Sequence, residues 1–228
     1  MIKKAAQHSG LTLETVKKNA IVNNFIEAAN EYLGAIGYTE HGFRHVGLVA
    51  SVAHNTLVQL NYPEPLPELA AIAGYLHDIG NVVNRQDHGQ SAALIAMRIL
   101  NEIGATPEEI AIMISAIGNH EEEIGDPVNP VAAALILADK SDVHKTRVRN
   151  PSMIGIDIHD RVNYAAERSF LKVDGAKKTI SLELTIDTKI SQPMEYFEIF
   201  MSRMIMCRRA AKFLKCNFEL IINERKLL

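Results

Sequence analysis

Apolar residues recur at helical spacing over most of the first two thirds of the chain. Leu13, Val16, Ile21, Phe25, Ala28 and Leu33 predict one amphipathic helix over Thr12 to Ala35. Leu48, Val49, Val52 and Leu57 predict another from His45 to Leu60, which the run Asn61, Tyr62, Pro63, Glu64, Pro65 breaks. Pro67 suits the first turn of a third helix, LPELAAIAGYLHD, ended by Gly80. His88 to Ile103 reads as the next, closed by Gly104. Thr106, Pro107, Glu108 and Glu109 form a start signal: a capping hydroxyl, a first-turn proline, then acids at the positive end of the helix dipole. That helix should reach about Asn119. Asn129 and Pro130 open the run VAAALILADKSDVHK.

The pattern changes beyond Asn150 and Pro151. A polar helix is expected around Asp157 to Glu167. From Ile180 to Ile186 apolar and polar residues then alternate strictly, the period of a strand. Phe170 to Val173 precedes it across a turn with Asp174 and Gly175, Pro193 to Leu214 reads as a helix, and Phe218 to Ile222 as a last strand. The expected fold is therefore mainly α: a helical bundle over residues 1–165, with a small strand-strand-helix-strand α+β module over residues 166–228 packed on it. Met194, Met201, Met204 and Met206 on the late helix are expected to pack against the small sheet.

Composition adds bounds rather than direction. In 228 residues, 47% are hydrophobic and 22% charged, enough to build a core without covalent staples. Cys207 and Cys216 are the two cysteines, so no disulfide framework is expected and a reducing cytoplasm is the expected location. A net charge of -3 gives no pull toward duplex nucleic acid or membrane. The first twenty residues carry charges throughout and do not read as a signal peptide. The apolar run Val131 to Ala138 is far below the roughly 20 residues that span a bilayer.

The chemistry starts with Asp139. It lies in the apolar run VAAALILADK, and a buried lone carboxylate costs several kcal/mol unless a cation, donors or a proton meets it. His77 and Asp78 end another apolar helix, and His45 opens an earlier one. Two imidazoles and two carboxylates suit Fe, Mn, Co, Ni or Zn, and Mg less comfortably. Such an ion lowers the pKa of a bound water and supplies hydroxide near neutral pH. His88 and His120, each at a helix end, could hold a second ion, with Asp78 shared between the two.

The order His45, then His77 and Asp78 within GYLHDIGN, then Asp139 within LADKSD resembles the HD superfamily of metal-dependent phosphohydrolases over roughly residues 20 to 150. With His88 and His120 included, it resembles the binuclear branch of that family. The resemblance implies a helical fold, a first metal on His45, His77, Asp78 and Asp139, and a second on His88 and His120. It implies attack by metal-bound hydroxide on a small phosphorylated substrate, a nucleotide in particular. Two departures stand out. Many binuclear relatives carry a lysine where this chain has Asn81. The segment Asn119 to Glu123, followed by Gly125, Asp126 and Pro127, lacks the paired histidines and downstream motif of the cyclic-dinucleotide enzymes.

Asp78, Lys140 and Arg147 are the residues expected to act on substrate. On a helix continuing past Asp139, Lys140, His144 and Arg147 would form one basic stripe facing phosphates, and Arg44 is a further cation. A solvated face is the plainer reading of that stripe, and His144 could instead cap a helix end. His41 and His54 read as surface or structural, while His8 and His159 give no signal. The C-terminal module reads as a structural or dimerisation element, which would make the chain a homodimer, or as a lid or substrate-selecting wall. Two other functions stay open: a mixed-valent di-iron oxygenase of the same superfamily, and a non-catalytic metal- or nucleotide-binding regulatory module.

Overall fold

A computed structural model describes residues 9–122, 124–153 and 158–227. Helices α1 (Leu13–Lys17), α2 (Ala20–Ala35), α3 (Phe43–Gln59), α4 (Leu66–Leu76), α5 (His88–Glu102), α6 (Pro107–Gly118), α7 (Pro130–Lys140) and α8 (Ile158–Ala165) come first. Strands β1 (Ala166–Asp174) and β2 (Thr179–Ile186), helix α9 (Pro193–Phe213), and strands β3 (Asn217–Ile222) and β4 (Arg225–Lys226) follow.

The centre of the bundle is α7. Val131 to Ala138 are all fully buried, so this helix is apolar all round, and α3, α4, α6 and α9 pack against it. Small residues bring the neighbours close. At Gly74 an added Cβ would lie 2.9 Å from the Ala50 Cα, so α3 and α4 meet backbone to backbone there. One apolar core runs from Leu11 through both parts of the chain to Ile222.

The sheet runs β1-β2-β3-β4. β1 and β2 are antiparallel across the turn at Asp174 and Gly175, and β2 and β3 are parallel, with α9 as the crossover a parallel pair needs. The alternation over Ile180 to Ile186 is a real one: Ile180, Leu182, Leu184 and Ile186 are buried on one face. β4 has no counterpart in the sequence pattern. It is two residues long and follows a turn in which Asn223 and Glu224 both have positive φ.

Several boundaries differ from expectation. The single helix over Thr12 to Ala35 is two helices, because Asn19 turns out of the helix and its side-chain oxygen caps the amides of Ile21 and Val22. The helix from Pro130 stops at Lys140. Ser141 returns its hydroxyl to the Ala138 carbonyl at 2.7 Å, a local bond that competes with helix continuation. The basic stripe of Lys140, His144 and Arg147 therefore does not exist as a helix face. His144 instead caps the short 3-10 turn Lys145–Arg147 and reaches the Glu167 carbonyl. Asp157, the expected start of the polar helix, lies outside the described residues. Met204 and Met206 are buried, but Met194 and Met201 are exposed, so only half of the expected methionine packing is present.

Candidate metal centre

Six residues from five helices meet at one point. His45 sits in the first turn of α3, His77 at the C-cap of α4 with Asp78 next, and His88 opens α5. His120 follows the end of α6, and Asp139 lies in the last turn of α7. Three overlapping groups have ligating atoms within 4.8 Å of one another: His45, His77 and Asp78; His77, His120 and Asp139; and Asp78, His88 and His120.

The backbone fixes which nitrogen each imidazole offers. His77 Nδ1 donates to the Gly74 carbonyl at 2.8 Å, and His120 Nδ1 to the Ile117 carbonyl at 2.6 Å. Both acceptors lie in the last turn of a helix, where carbonyls lack intrahelical partners. His88 Nδ1 donates to the Arg85 carbonyl at 3.0 Å, and His45 Nδ1 to Asp142 Oδ2 at 2.6 Å. All four acceptors lack a proton to give, so every Nδ1 carries a hydrogen and Nε2 is left as the nitrogen that can face a cation.

Those Nε2 atoms face each other. His45 Nε2 lies 3.3 Å from His77 Nε2, and His88 Nε2 lies 3.1 Å from His120 Nε2. Two bare lone pairs at that distance repel unless a proton or cation stands between them. The carboxylates complete the two groups. Asp78 Oδ2 is 3.5 Å from His45 Nε2 and 3.4 Å from His77 Nε2. Asp139 Oδ1 is 3.5 and 3.7 Å from the same atoms. On the other side, Asp78 Oδ1 is 3.3 Å from His88 Nε2 and 4.0 Å from His120 Nε2. Metal bonds of about 2.1 Å at tetrahedral angles separate ligand atoms by about 3.4 Å, so both groups have the spacing of a cation site. Asp78 presents one oxygen to each.

The electrostatics agree. Burial alone would raise the Asp78 carboxyl, but the imidazoles of His77, His45 and His88 more than offset it and hold it well below the usual carboxylate range. Asp139 is held low in the same way, against burial, by Lys140, His45 and His77. Burial and Arg147 work to lower His45, yet its contacts with Asp139, Asp142 and Asp78 raise it to about 10. The carboxylates that would attract a cation there hold a proton when none is bound. Burial, His77 and His88 push His120 well below the ordinary imidazole value.

Around the cluster stands Asp142, which sequence reasoning does not single out. Besides His45 it receives two bonds from Arg44, at 2.8 and 3.2 Å. Arg44 is therefore committed to Asp142, and to Glu40 at 2.9 Å, rather than held for a phosphate. The one signal for Asp142 is its place, an acid three residues after Asp139 and just past the helix. Arg147 is buried, and its Nε and Nη1 donate to the carbonyls of Glu40 and Asp142 at 3.2 and 2.9 Å. Lys140 Nζ contacts Asp139 Oδ2 at 2.5 Å and lies 3.7 Å from Glu122. Asn81 donates to Asp78 Oδ1 at 3.1 Å.

A cavity of about 1050 Å³ opens over the cluster, lined by Asp78, His88, His120, Asp139, Lys140 and Arg147 together with residues of α8 and α9. His41, expected to be surface or structural, lines it too. Its Nδ1 meets the Thr39 carbonyl at 2.7 Å, and burial with the nearby Arg147 charge keeps its imidazole well below the ordinary value. His159, which gives no sequence signal, is also in the wall. His54 lies on α3 outside this cavity, beside Asn55. Among the described residues no helix is long and apolar enough to cross a membrane.

Comparison with known proteins gives the same region a family. The family model described as HD domain matches residues 42–144, the stretch that contains all six cluster residues. An uncharacterized protein, MJ1020 of Methanocaldococcus jannaschii, is 30% identical over 195 residues, covering 75% of this chain and 74% of its own. Ribonuclease Y of Opitutus terrae is 31% identical over 118 residues, 51% of this chain but 21% of that protein. HD domains bind divalent metals, and the buried histidine-aspartate cluster can hold them; the chain belongs to the HD-domain family.

Proposed function

We propose that the chain is a metal-dependent phosphohydrolase with a two-cation centre, acting on a small phosphorylated substrate, a nucleotide in particular. The observation that carries this reading is the pair of close Nε2 contacts, with Asp78 offering an oxygen to each. His45, His77, Asp78 and Asp139 would hold one cation, and Asp78, His88 and His120 the other. Four imidazoles and two carboxylates favour Fe, Mn, Co, Ni or Zn over Mg. Bound there, divalent cations supply a water of lowered pKa and offset charge on a phosphoryl group.

The remaining roles fall to the chain's own side chains. Lys140, against Asp139 at the cavity wall, orients that ligand and adds positive potential where phosphoryl charge develops. Arg147, bonded to the Asp142 carbonyl, positions the acid that orients His45. The cavity suits a mononucleotide-sized ligand, since small-molecule sites hold roughly 300–1,000 Å³. Similarity to a protein named as a ribonuclease supports cleavage at a phosphodiester and adds short oligoribonucleotides to the candidates. The α9 residues in the wall, Phe200, Ser202 and Arg203 among them, support the substrate-selecting role for the C-terminal module.

The test is elemental analysis of metal-replete protein, then a hydrolysis screen with nucleotides, dinucleoside polyphosphates, generic phosphoesters and short oligoribonucleotides. The expected result is two transition-metal ions per chain and hydrolysis that a chelator abolishes. A fully loaded protein that cleaves none of these overturns the reading. Two irons with a mixed-valent resonance and oxygen consumption would replace it with the oxygenase.

A further inference from the structure

Among the described residues, the lysine and arginine side chains that line the cavity are Arg85, Lys140, Arg147 and Arg203. Three have their charge met by a carboxylate. Lys140 lies against Asp139 and near Glu122. Arg203 Nε donates to Glu122 Oε1 at 2.7 Å. Arg147 lies 3.7 Å from Asp142. Arg85 differs: among the described residues, no ion pair to a carboxylate is formed by its guanidinium. Its Nη1 is 3.3 Å from Asn81 Oδ1 and 3.4 Å from His88 Nε2, and its guanidinium carbon sits 5.2 Å from the centroid of the Tyr38 ring.

Those contacts aim the group without neutralising it. The Tyr38 ring supports one face of the guanidinium. Asn81 is itself tied to Asp78, so it sets Arg85 in register with the shared carboxylate. The positive group thus stands beside the imidazole nitrogen that would face the second cation. Charge counting shows what such an arrangement lacks. Asp78 and Asp139 bring two negative charges and Glu121, 3.3 Å from His88, a third, against four positive ones from two divalent cations, so the loaded centre keeps a net positive charge before Arg85 is added. A guanidinium next to that centre needs an anion, and its planar fork matches two phosphoryl oxygens.

We propose that Arg85 is the anion receptor of this centre: it binds two non-bridging oxygens of the phosphoryl group undergoing attack, on the His88 side of the cluster, with Tyr38 as the ledge beneath it. The proposal rests on the phosphohydrolase reading. It gives direct contact with substrate oxygens to a residue of the loop before α5, while Lys140 stands against Asp139 and Arg147 against Asp142.

Inorganic phosphate is the probe, titrated by calorimetry into the full-length, metal-loaded chain. Arg85→Gln should weaken phosphate binding about tenfold to a hundredfold, as loss of charge-assisted hydrogen bonds does, with metal content unchanged. Arg85→Lys should recover part of the affinity, because the charge stays and the fork is lost. Arg98→Gln, at an exposed arginine paired with Glu102, should bind phosphate as the parent does. The proposal is overturned if Arg85→Gln binds phosphate normally, if both Arg85 variants lose metal alike, or if the loaded parent binds no phosphate. Phosphate binding needs no turnover. Failed hydrolysis with an intact Arg85 effect therefore overturns the phosphohydrolase reading alone, and normal phosphate binding by an Arg85→Gln variant of an active enzyme overturns this assignment alone.

Discussion

His45 Nδ1 and Asp142 Oδ2 meet at 2.6 Å although 97 residues separate them in the chain. The bond joins the start of α3 to the loop after α7, and it sets the direction in which His45 offers its other nitrogen. Asp142 is fully buried and also receives Arg44 and lies near Arg147. Burial would raise its carboxyl, but His45, Arg147 and Arg44 hold it far below the carboxylate range.

Asp142→Ala should therefore weaken metal binding about 10- to 100-fold, the usual cost of losing a group that orients a metal-binding histidine. It should also destabilise the fold by about 3–5 kcal/mol, because buried Arg147 loses its counter-charge. Metal titration of the purified variant, with thermal unfolding alongside, reads both effects. A variant that binds metal as tightly as the parent would show that Asp142 does not position His45.

Asp78 has carboxylate oxygens within 4.0 Å of imidazole nitrogens on both sides of the cluster, while the contacts of Asp139 at that range are with His45 and His77. Asp78→Ala should leave less than one ion per chain, whereas His120→Ala should retain about one, on the His45 side. Elemental analysis after gel filtration separates the cases. Equal metal content in the two variants would refute the shared carboxylate. Chelator treatment of the parent should lower Tm by about 5–10 °C, since a ligand at a hundredfold over its Kd stabilises by about 2.7 kcal/mol.

Much of this arrangement is legible in the amino-acid order alone. Thr106 caps α6 as its place predicts, with Glu109 returning the bond, and His45, His77, Asp78, His88 and His120 stand at helix ends, where a reading of helix boundaries puts them. The order His45, His77, Asp78 and Asp139 also points to the right family. What stays hidden depends on contacts far apart in sequence. Asp142 looks like one more polar residue after Asp139, because its partners Arg44 and His45 lie about a hundred positions earlier. His41 and Arg85 are ordinary loop residues until the fold brings both to one cavity. The break at Asn19 is invisible because the apolar period runs through it; a side-chain cap, not hydrophobicity, decides there. The end of α7 is misplaced for the same reason: Ser141 acts through a local hydrogen bond that a periodicity argument does not weigh.

Gly80 is the tightest joint in the site. A Cβ there would come within 2.0 Å of the His88 carbonyl and 2.5 Å of the Ala92 amide, both backbone atoms of α5. The 3-10 turn after Asp78 thus rests directly on the helix that carries His88. Gly80→Ala must push the two apart, at a cost of about 1–3 kcal/mol or more. Since His88 moves with α5, binding of the second ion should suffer more than that of the first. Stepwise metal titration checks this. Loss of the first ion alone, with the second retained, would contradict the geometry.

Cys207 offers a probe of whether α9 stays closed on the bundle. Its thiol is buried, and burial pushes its pKa up to about 12. Protonated thiols do not attack disulfide reagents, so at pH 8 very little of the thiol is the reactive thiolate even before access is considered. The sign is simple: reactivity should rise with pH through the whole alkaline range, as the thiolate fraction grows tenfold per unit. Cys216 is buried as well. A thiol-reactive dye added to native protein at pH 8 should therefore label neither cysteine within the time that labels both in denaturant. Native labelling of Cys207 at the denatured rate would mean that α9 opens from α7, and that the wall it gives the cavity is not a fixed one.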